Sequence, residues 1–193
     1  MTQLWLVRHG QTDWNLEGRF QGSRDIALNL SGQEQARQIA AQLKGEQFDA
    51  IYSSPLVRAL RTAETIAAVH GMPVQVDPLL VEVRLGAWEG MLEAEIHQQY
   101  PQLERERLCN PLHTPPPGGE TAAEVAERMA LAADEIARTH PGGTVLLVSH
   151  GMALSTLICL TEGISLNRVF EFIPENALPV IVSWGSEREH DHA

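Results

Sequence analysis

The run LWLVRHG at residues 4–10 predicts how the rest of the chain is organised. Its first four residues are apolar without polar alternation, which is typical of a strand buried on both faces of a parallel sheet. The run then ends in a cation, an imidazole and a glycine. Ligands of open α/β sheets bind beyond the carboxyl ends of the strands, and a glycine there lets the backbone approach a ligand closely. We therefore expect His9 to act in a crevice rather than to pack in the core.

A second run, TVLLVSHG at residues 144–151, repeats the pattern of an apolar strand followed by a histidine and a glycine. If the two strands lie parallel in one sheet, their carboxyl ends share an edge, and His9 and His150 face each other across one crevice. Either histidine alone could be an ordinary polar residue at a strand end. Two matching endings favour a common site.

A helix signal adds a cation to the same edge. The predicted strand at 48–53 is followed by Ser54 as an N-cap and by a proline at the first helical position, so a helix should end near residue 70 with Gly71 as its left-handed cap. Arg58 then lies in the first turn of this helix, directly after a strand end. We expect its guanidinium to reach the crevice.

The remaining chain alternates strands with helices, which is typical of an α/β fold. Capping boxes predict helices that begin at Ser31 and Thr121. Residues 11–30 show little periodicity and are expected to form a long functional loop. We expect a three-layer αβα sandwich, with a mostly parallel central sheet and helices on both faces, as a single domain over residues 1–193. The predicted strands are 4–7, 48–53, 73–76, 144–149 and 178–184, and the predicted helices are 31–44, 55–70, 122–139, 152–161 and 166–170.

The composition argues against several classes of partner. The chain has 193 residues, 44% of them hydrophobic, and a formal net charge of −11. Nucleic acids and anionic membranes require basic patches, so we expect neither as a partner. A few arginines focused in a cleft can still attract a small anion to an acidic protein.

Segment composition and cysteine usage favour the cytoplasm. No apolar run approaches the roughly 18 residues of a membrane span, and the first residues lack the basic region and cleavage site of a signal peptide. Cys109 and Cys159 lie far apart and show no metal-ligand spacing, so we expect reduced thiols rather than a disulfide. Near the end of the chain, His190 and His192 are interpreted as solvated residues rather than metal ligands.

The segment at residues 91–119 is polar and broken, with Pro101, Pro111 and three consecutive prolines at 115–117. We interpret it as an excursion from the sheet that forms a lid or a wall of the crevice. A solvated surface helix with pairs of opposite charge explains the charged run at 104–107 equally well. Exposed apolar positions on the helix after His150 would permit a homodimer.

Five motifs in order along the chain resemble those of the histidine phosphatase superfamily, the phosphoglycerate mutase-like group. They are RHGQTDWN at 8–15, RFQG at 19–22, SSPLVRA at 53–59, LGAWEG at 85–90 and SHG at 149–151. The first three residues alone would be a weak signal, but five motifs in this order are specific. The resemblance covers most of the chain and implies a phosphoglycerate mutase-like fold.

The resemblance also implies a set of site residues. It gives Glu82 the role of proton donor, and apolar neighbours in the sequence suit a carboxyl group that donates a proton at neutral pH. Glu89 is a rival carboxylate, which we interpret as part of a structural turn. No metal and no cofactor are implied. The implied catalytic residues are Arg8, His9, Arg58, Glu82 and His150, and the implied substrate-binding residues are Asn15, Gln21, Gly22 and Gly151.

So many donors in one place suit an anion with several oxygens, and a phosphoryl group fits. The expected reaction is in-line attack by His9 on a small phosphorylated metabolite, with the arginines and a protonated His150 stabilising the charge. Glu82 protonates the leaving oxygen and then deprotonates the water that hydrolyses the phosphohistidine. The compact chain favours the phosphatase branch of the group.

Three alternatives stay open. A phosphoglycerate mutase would return the phosphoryl group to a substrate instead of water, and mutases of this group are generally longer. A metal hydrolase would use His9, His150 and a carboxylate as ligands, although the two arginines beside them would repel a divalent cation. A non-catalytic module that binds a phosphorylated ligand would be expected to lack His9 or Glu82, and both are present.

Overall fold

A computed structural model describes residues 1–185, and the predictions for His190 and His192 lie outside the described residues. The strands are β1 (Thr2–Arg8), β2 (Ala50–Ser53), β3 (Val74–Val76), β4 (Thr144–Ser149) and β5 (Pro179–Trp184). The α-helices are α1 (Asp13–Glu17), α2 (Leu30–Leu43), α3 (Val57–His70), α4 (Glu93–Gln99), α5 (Pro101–Cys109), α6 (Ala122–Thr139) and α7 (Gly151–Glu162). Three 3₁₀ turns occupy Pro78–Leu80, Gly86–Trp88 and Leu166–Phe172.

The strands form one sheet in the order β3-β2-β4-β1-β5. β1 runs parallel to β4, with Arg8 opposite Ser149, and β2 runs parallel to both β4 and β3. Only the edge strand β5, among the strands of this sheet, is antiparallel to its neighbour β1. The predicted mostly parallel sheet is confirmed.

Helices cover both faces of the sheet. On one face, α2 and α3 bury Ile39 and Ile66 against Val148 of β4. On the other face, α6 and α7 pack Met129 into a core that contains Leu147, the preceding residue of the same strand. Successive side chains of a strand point to opposite faces, so a strand with helices on both sides is apolar throughout. The predicted three-layer α/β architecture is confirmed.

Two predicted helix starts are wrong. α2 begins at Leu30, and its cap is Asn29, whose side chain accepts a hydrogen bond from Gly32 N at 2.8 Å, so the expected Ser31 cap is displaced. α3 begins at Val57 without a side-chain cap. Ser54 instead follows directly on β2, and its hydroxyl accepts a hydrogen bond from Leu56 N at 3.3 Å and lies 2.8 Å from the ring of a buried histidine. Asparagine is as good an N-cap as serine, so propensity alone does not fix the first residue.

Other local predictions are confirmed. Thr121 caps α6 in a capping box with Glu124, and Gly71 ends α3 with a φ of 64°. Within the predicted loop at residues 11–30, however, Thr12 caps the short helix α1. The predicted excursion at 91–119 contains α4 and α5, so the charged run at 104–107 is helical, as one of the two sequence interpretations has it.

The apolar residues expected to permit a homodimer through the helix after His150 are not exposed. Residues Gly151 to Cys159 of α7 are all buried within the chain, against the sheet, α6 and the turn at Leu166–Phe172. The largely apolar sequence of this helix therefore indicates a central position, not an exposed face. None of the helices in residues 1–185 is both long and apolar enough to cross a membrane.

A close approach of two glycines fixes the chain just after β1. A Cβ on Gly10 would overlap the main chain of Gly32, and a Cβ on Gly32 would overlap the main chain of Gln11. This contact packs the residues after His9 against the first turn of α2. Asn29 N also donates a hydrogen bond to Gln11 O at 3.0 Å.

We predict that Gly32→Ala lowers the free energy of unfolding by at least about 2 kcal/mol, because a methyl group must displace backbone rather than a flexible side chain. Gly45→Ala is the matched control, since a Cβ there meets nothing within 4 Å. Urea unfolding of both variants measures the difference. Equal stabilities would show that the two segments do not depend on this contact.

Candidate active site

The parallel pairing of β1 and β4 brings both strand-end histidines together. Because Arg8 lies opposite Ser149, the next residues of the two strands are His9 and His150. Their ring centroids are 5.2 Å apart. Arg58, in the first turn of α3, donates a hydrogen bond from Nε to His9 Nε2 at 3.2 Å. The predicted meeting of residues from distant parts of the chain is thus present in the structure.

The hydrogen bonds of His9 define its tautomer. Nδ1 lies 2.7 Å from the carbonyl oxygen of Gly10, which can only accept, so Nδ1 carries the hydrogen. Nε2 accepts from Arg58 and therefore holds the lone pair. The ring presents an unprotonated nitrogen to the cationic side of the site. A neutral imidazole in this orientation is a competent nucleophile.

Burial and neighbouring cations favour the neutral form of both histidines. Burial lowers the pKa of His9 well below 6.5, and the charges of Arg58 and Arg8 lower it further, against the opposing effect of the Gly10 carbonyl. Burial and the same arginines also lower the pKa of His150. A fully buried ring near cations resists a further positive charge, and the protonated His150 expected during the reaction stays a prediction.

His150 lies behind the site rather than in its wall. The residue is fully buried, and its Nε2 is 2.8 Å from Ser54 Oγ. Its Nδ1 is buried and has no hydrogen-bond partner among residues 1–185. One position for a hydrogen bond is thus left on this ring, next to His9.

Main-chain carbonyls, not carboxylates, hold the two arginines of the site. Arg58 donates from Nη1 to Arg24 O at 2.6 Å and from Nη2 to Gly22 O at 2.9 Å. Arg8 donates from Nη1 to Pro174 O at 3.0 Å, and its Nε is buried without a partner in the described part of the chain. Burial lowers the pKa of Arg58 to about 10, so the group stays charged at neutral pH. Both charges are available to an anion.

Two amide side chains lie in the wall of the same cavity. Asn15 accepts hydrogen bonds through Oδ1 from the main chain and hydroxyl of Thr12, each at 3.1 Å, which orients its amide. Gln21 is buried, and its Oε1 has no partner among the described residues. Buried amides normally have partners, so this oxygen has capacity left to accept a hydrogen bond from a water, while the amide NH2 can donate to an anion.

The two predicted glycines allow close packing at the site. Gly22 has a φ of 52°, and a Cβ there would lie 2.5 Å from Glu89 Oε1. At Gly151 a Cβ would lie 3.5 Å from Arg8 Cζ and 3.0 Å from Ile173 Cγ2. Side chains at these positions would displace the groups that position Arg58 and Arg8.

Glu82 differs from the sequence expectation in its surroundings. Its carboxylate accepts hydrogen bonds from three main-chain N–H groups: Val83 at 2.9 Å, Ala153 at 3.1 Å and Met152 at 3.2 Å. Two of these donors belong to the first turn of α7, where unpaired N–H groups attract anions. The apolar environment expected from neighbouring residues in sequence is wrong, because a distant helix supplies the polar groups.

A buried ion pair holds the loop that carries Glu82. Arg128 of α6 donates to Leu79 O and Val81 O, each at 2.7 Å, and pairs with Glu120 at 3.2 Å. Glu120 in turn accepts from Arg84 N at 2.8 Å. The main chain on both sides of Glu82 is therefore fixed. No local sequence signal distinguishes these two residues from ordinary surface charges.

Glu89 joins two loops, as the sequence interpretation has it. Its Oε1 accepts hydrogen bonds from the main chain and hydroxyl of Ser23 and from Leu85 N, and its Oε2 pairs with Arg24. The carboxylate is occupied by protein groups and does not line the cavity.

The site opens into a cavity of about 440 Å³. Of the nine residues predicted from sequence, all except His150 line it. Sequence reasoning missed Arg107, which is buried in the cavity wall although its neighbours suggest a solvated charged run. No group of three or more histidine, cysteine, aspartate or glutamate side chains in residues 1–185 could hold a metal ion. The other lining residues include Trp14, Arg19, Phe20, Val83, Leu85, Trp88, Glu93, Glu104, Leu108, Met152, Phe170 and Ile173.

Comparisons with known proteins agree with this geometry. The family model of the histidine phosphatase superfamily (branch 1) matches residues 4–190. Phosphoserine phosphatase 1 of Hydrogenobacter thermophilus is 36% identical over 177 residues, which cover 92% of this chain and 84% of that protein. A probable phosphoglycerate mutase of Escherichia fergusonii is 37% identical over 85% of this chain and 76% of its own length. The structure of a mycobacterial glucosyl-3-phosphoglycerate phosphatase with VO3 superposes with a TM-score of 0.86 at 32% identity, over 94% of this chain and 92% of that chain.

We predict that His9 and His150 stay neutral between about pH 8 and pH 6 in the free protein, because their lowered pKa values keep the proton off below the usual midpoint near 6.5. Titration of ¹⁵N-labelled histidine rings by NMR, with the His9→Gln variant for assignment, measures this. A midpoint near 6.5 for either ring would show that burial and the arginine charges do not lower its pKa.

Proposed function

The chain belongs to the histidine phosphatase superfamily (branch 1), and from this we propose that it hydrolyses small phosphomonoesters through a phosphohistidine intermediate on His9. The main support for the proposal is that Nε2 of His9 holds a lone pair, because the Gly10 carbonyl fixes the ring hydrogen on Nδ1. Arg8 and Arg58 lie beside it without carboxylate partners in the described part of the chain. This combination supplies a nucleophile and two cations for one phosphoryl group.

In the first half of the reaction, His9 Nε2 attacks phosphorus and the bond to the ester oxygen breaks. Arg8 and Arg58 bind the equatorial oxygens, and Asn15 and Gln21 contribute neutral hydrogen bonds. The hydrogen bond from Arg58 to Nε2 is exchanged for one to the phosphoryl group. Glu82 gives its proton to the leaving oxygen, so that an alcohol departs.

In the second half, Glu82 as a carboxylate takes a proton from water, and the water oxygen attacks phosphorus. The phosphorus–nitrogen bond breaks, and inorganic phosphate and neutral His9 are regenerated. The clamp of Arg128 and Glu120 on the neighbouring main chain supports this role, because both proton transfers require a fixed carboxyl group. The ring of His150 is buried beside His9, and we assign its unpartnered Nδ1 as a hydrogen-bond donor to the phosphoryl group once Nε2 of His9 carries it.

A phosphoglycerate mutase is the second candidate, since relatives of this description match 85% of the chain. A mutase must keep its phosphoenzyme away from water until the intermediate has reoriented, which requires closure around the site. The match covers only 76% of that mutase relative, against 84% of the phosphoserine phosphatase. We interpret α4 and α5, within residues 91–119, as a modest lid that admits water to the phosphohistidine.

The same proposal places the enzyme in the cytoplasm. Cys109 is exposed and Cys159 is buried, and both are free thiols. Free thiols persist in reducing compartments, where phosphorylated metabolites are also found.

Replacement of the nucleophile tests the proposal most simply. His9→Ala should lower kcat/KM on p-nitrophenyl phosphate by at least about 10³-fold, or roughly 4 kcal/mol of barrier lowering. His113→Ala, which removes an exposed histidine outside the cavity wall, serves as the control and should leave the rate unchanged. Near-normal activity of His9→Ala would exclude His9 as the nucleophile.

The acceptor of the phosphoryl group can be measured directly. Release of inorganic phosphate from small phosphomonoesters should greatly exceed transfer between the positions of phosphoglycerate in the presence of its bisphosphate primer. Glu82→Gln should slow both halves of the reaction, whereas Glu127→Gln on the exposed side of α6 should slow neither. Dominant mutase turnover would show that water is not the acceptor.

A further inference from the structure

Arg107 lies in the wall of the same cavity as Glu82, the proposed proton donor. Its Nη2 is 3.5 Å from Met152 Sδ, and Met152 N donates to Glu82 at 3.2 Å. Met152 therefore contacts both Arg107 and the proposed proton donor. Since Glu82 protonates the ester oxygen, a group attached close to that oxygen meets Arg107.

The guanidinium of Arg107 is buried and has no salt-bridge partner among residues 1–185, although the charge of Glu82 opposes the lowering of its pKa by burial. It is 4% exposed and forms no ion pair among residues 1–185. Its polar contacts are long ones, from Nη1 to Thr114 O at 3.2 Å and Glu120 O at 3.3 Å, and its Cζ lies 5.5 Å above the ring of Phe170. A buried charge normally has a charged partner, so the missing partner points to a ligand.

The other arginines of the cavity are already assigned. Arg8 and Arg58 flank His9 and face the phosphoryl group. Arg19 pairs with Glu17 at 2.6 Å and donates to Gly90 O. Burial lowers the pKa of Arg107 to about 10, so it keeps its charge at neutral pH. Among the described arginines of the cavity wall, Arg107 is therefore the one that remains to bind a second anionic group.

We propose that Arg107 binds a carboxylate on the leaving group, so that the preferred substrates are phosphate monoesters of small hydroxy or amino acids. The proposal rests on the proposed phosphatase function and specifies its substrate class. The planar guanidinium matches a carboxylate with two parallel hydrogen bonds. A second phosphate fits this place less well, because Glu93 and Glu104 line the same cavity and repel a dianion. The indole N–H of Trp88, buried without a partner in the described chain, supplies another donor in this cavity.

A matched pair of substrates isolates the carboxylate. O-phosphoserine and O-phosphoethanolamine differ only in that group. The wild-type enzyme should prefer phosphoserine by at least about 10-fold in kcat/KM, the value of a hydrogen-bonded charged group. Arg107→Met should lower kcat/KM for phosphoserine by about 10- to 100-fold and leave phosphoethanolamine within about 2-fold. Arg105→Met, on the exposed side of α5, should change neither substrate.

Several outcomes would overturn the proposal. A wild-type ratio of kcat/KM for phosphoserine to that for phosphoethanolamine near one contradicts it. This result does not depend on whether Arg107→Met folds. Equal losses on both substrates would assign Arg107 to holding the main chain at Thr114 and Glu120 instead. Arg107→Lys should recover part of the preference for phosphoserine if the charge binds substrate.

A binding measurement separates this proposal from the proposed function. Calorimetry with His9→Ala needs no turnover, and phosphoserine should bind at least about 10-fold more tightly than phosphoethanolamine. If the two esters bind equally, the Arg107 proposal is wrong even for an active phosphatase. If the wild type fails to hydrolyse p-nitrophenyl phosphate while the binding preference is present, the proposed function fails and the carboxylate subsite is supported.

Discussion

The register between β1 and β4 is the constraint on which the site depends. Arg8 lies opposite Ser149, and a parallel ladder then places His9 and His150 side by side at the same edge. A shift by one residue would turn every side chain of β1 to the other face of the sheet. The helices that pack on both faces specify this register, because each face buries its own set of apolar residues. The catalytic geometry is in this sense a consequence of core packing.

Burial then determines the chemistry of the edge. Two neutral imidazoles and two guanidiniums lie together with little access to water, and main-chain carbonyls hold the guanidiniums in place. Neither guanidinium has a carboxylate salt-bridge partner among the described residues, so the edge attracts an added anion, and the Glu82 carboxylate lies in the same cavity at the N-terminus of α7. Burial of these unpaired charges destabilises the free protein, and binding of a phosphorylated ligand offsets this destabilisation.

Much of this arrangement could be predicted from sequence, because it follows short-range rules. Apolar strands that end in His-Gly, and an arginine in the first turn after a strand, place His9, His150 and Arg58 at one edge, and the family assignment from five motifs is confirmed. Arg107 and the pair of Arg128 with Glu120 could not be found in this way. Their burial depends on contacts between distant segments, and a charged residue on a helix has the same local pattern whether it faces solvent or a cavity.

We propose that Nε2 of His9 carries the phosphoryl group, since Nδ1 is held by the Gly10 carbonyl. The regiochemistry of the trapped phosphoenzyme, determined by ¹H–³¹P correlation NMR after rapid alkaline quenching, tests this most directly. We expect a single phosphohistidine, bonded through Nε2 of His9. Phosphorus on Nδ1, on His150, or on no histidine during turnover would contradict it.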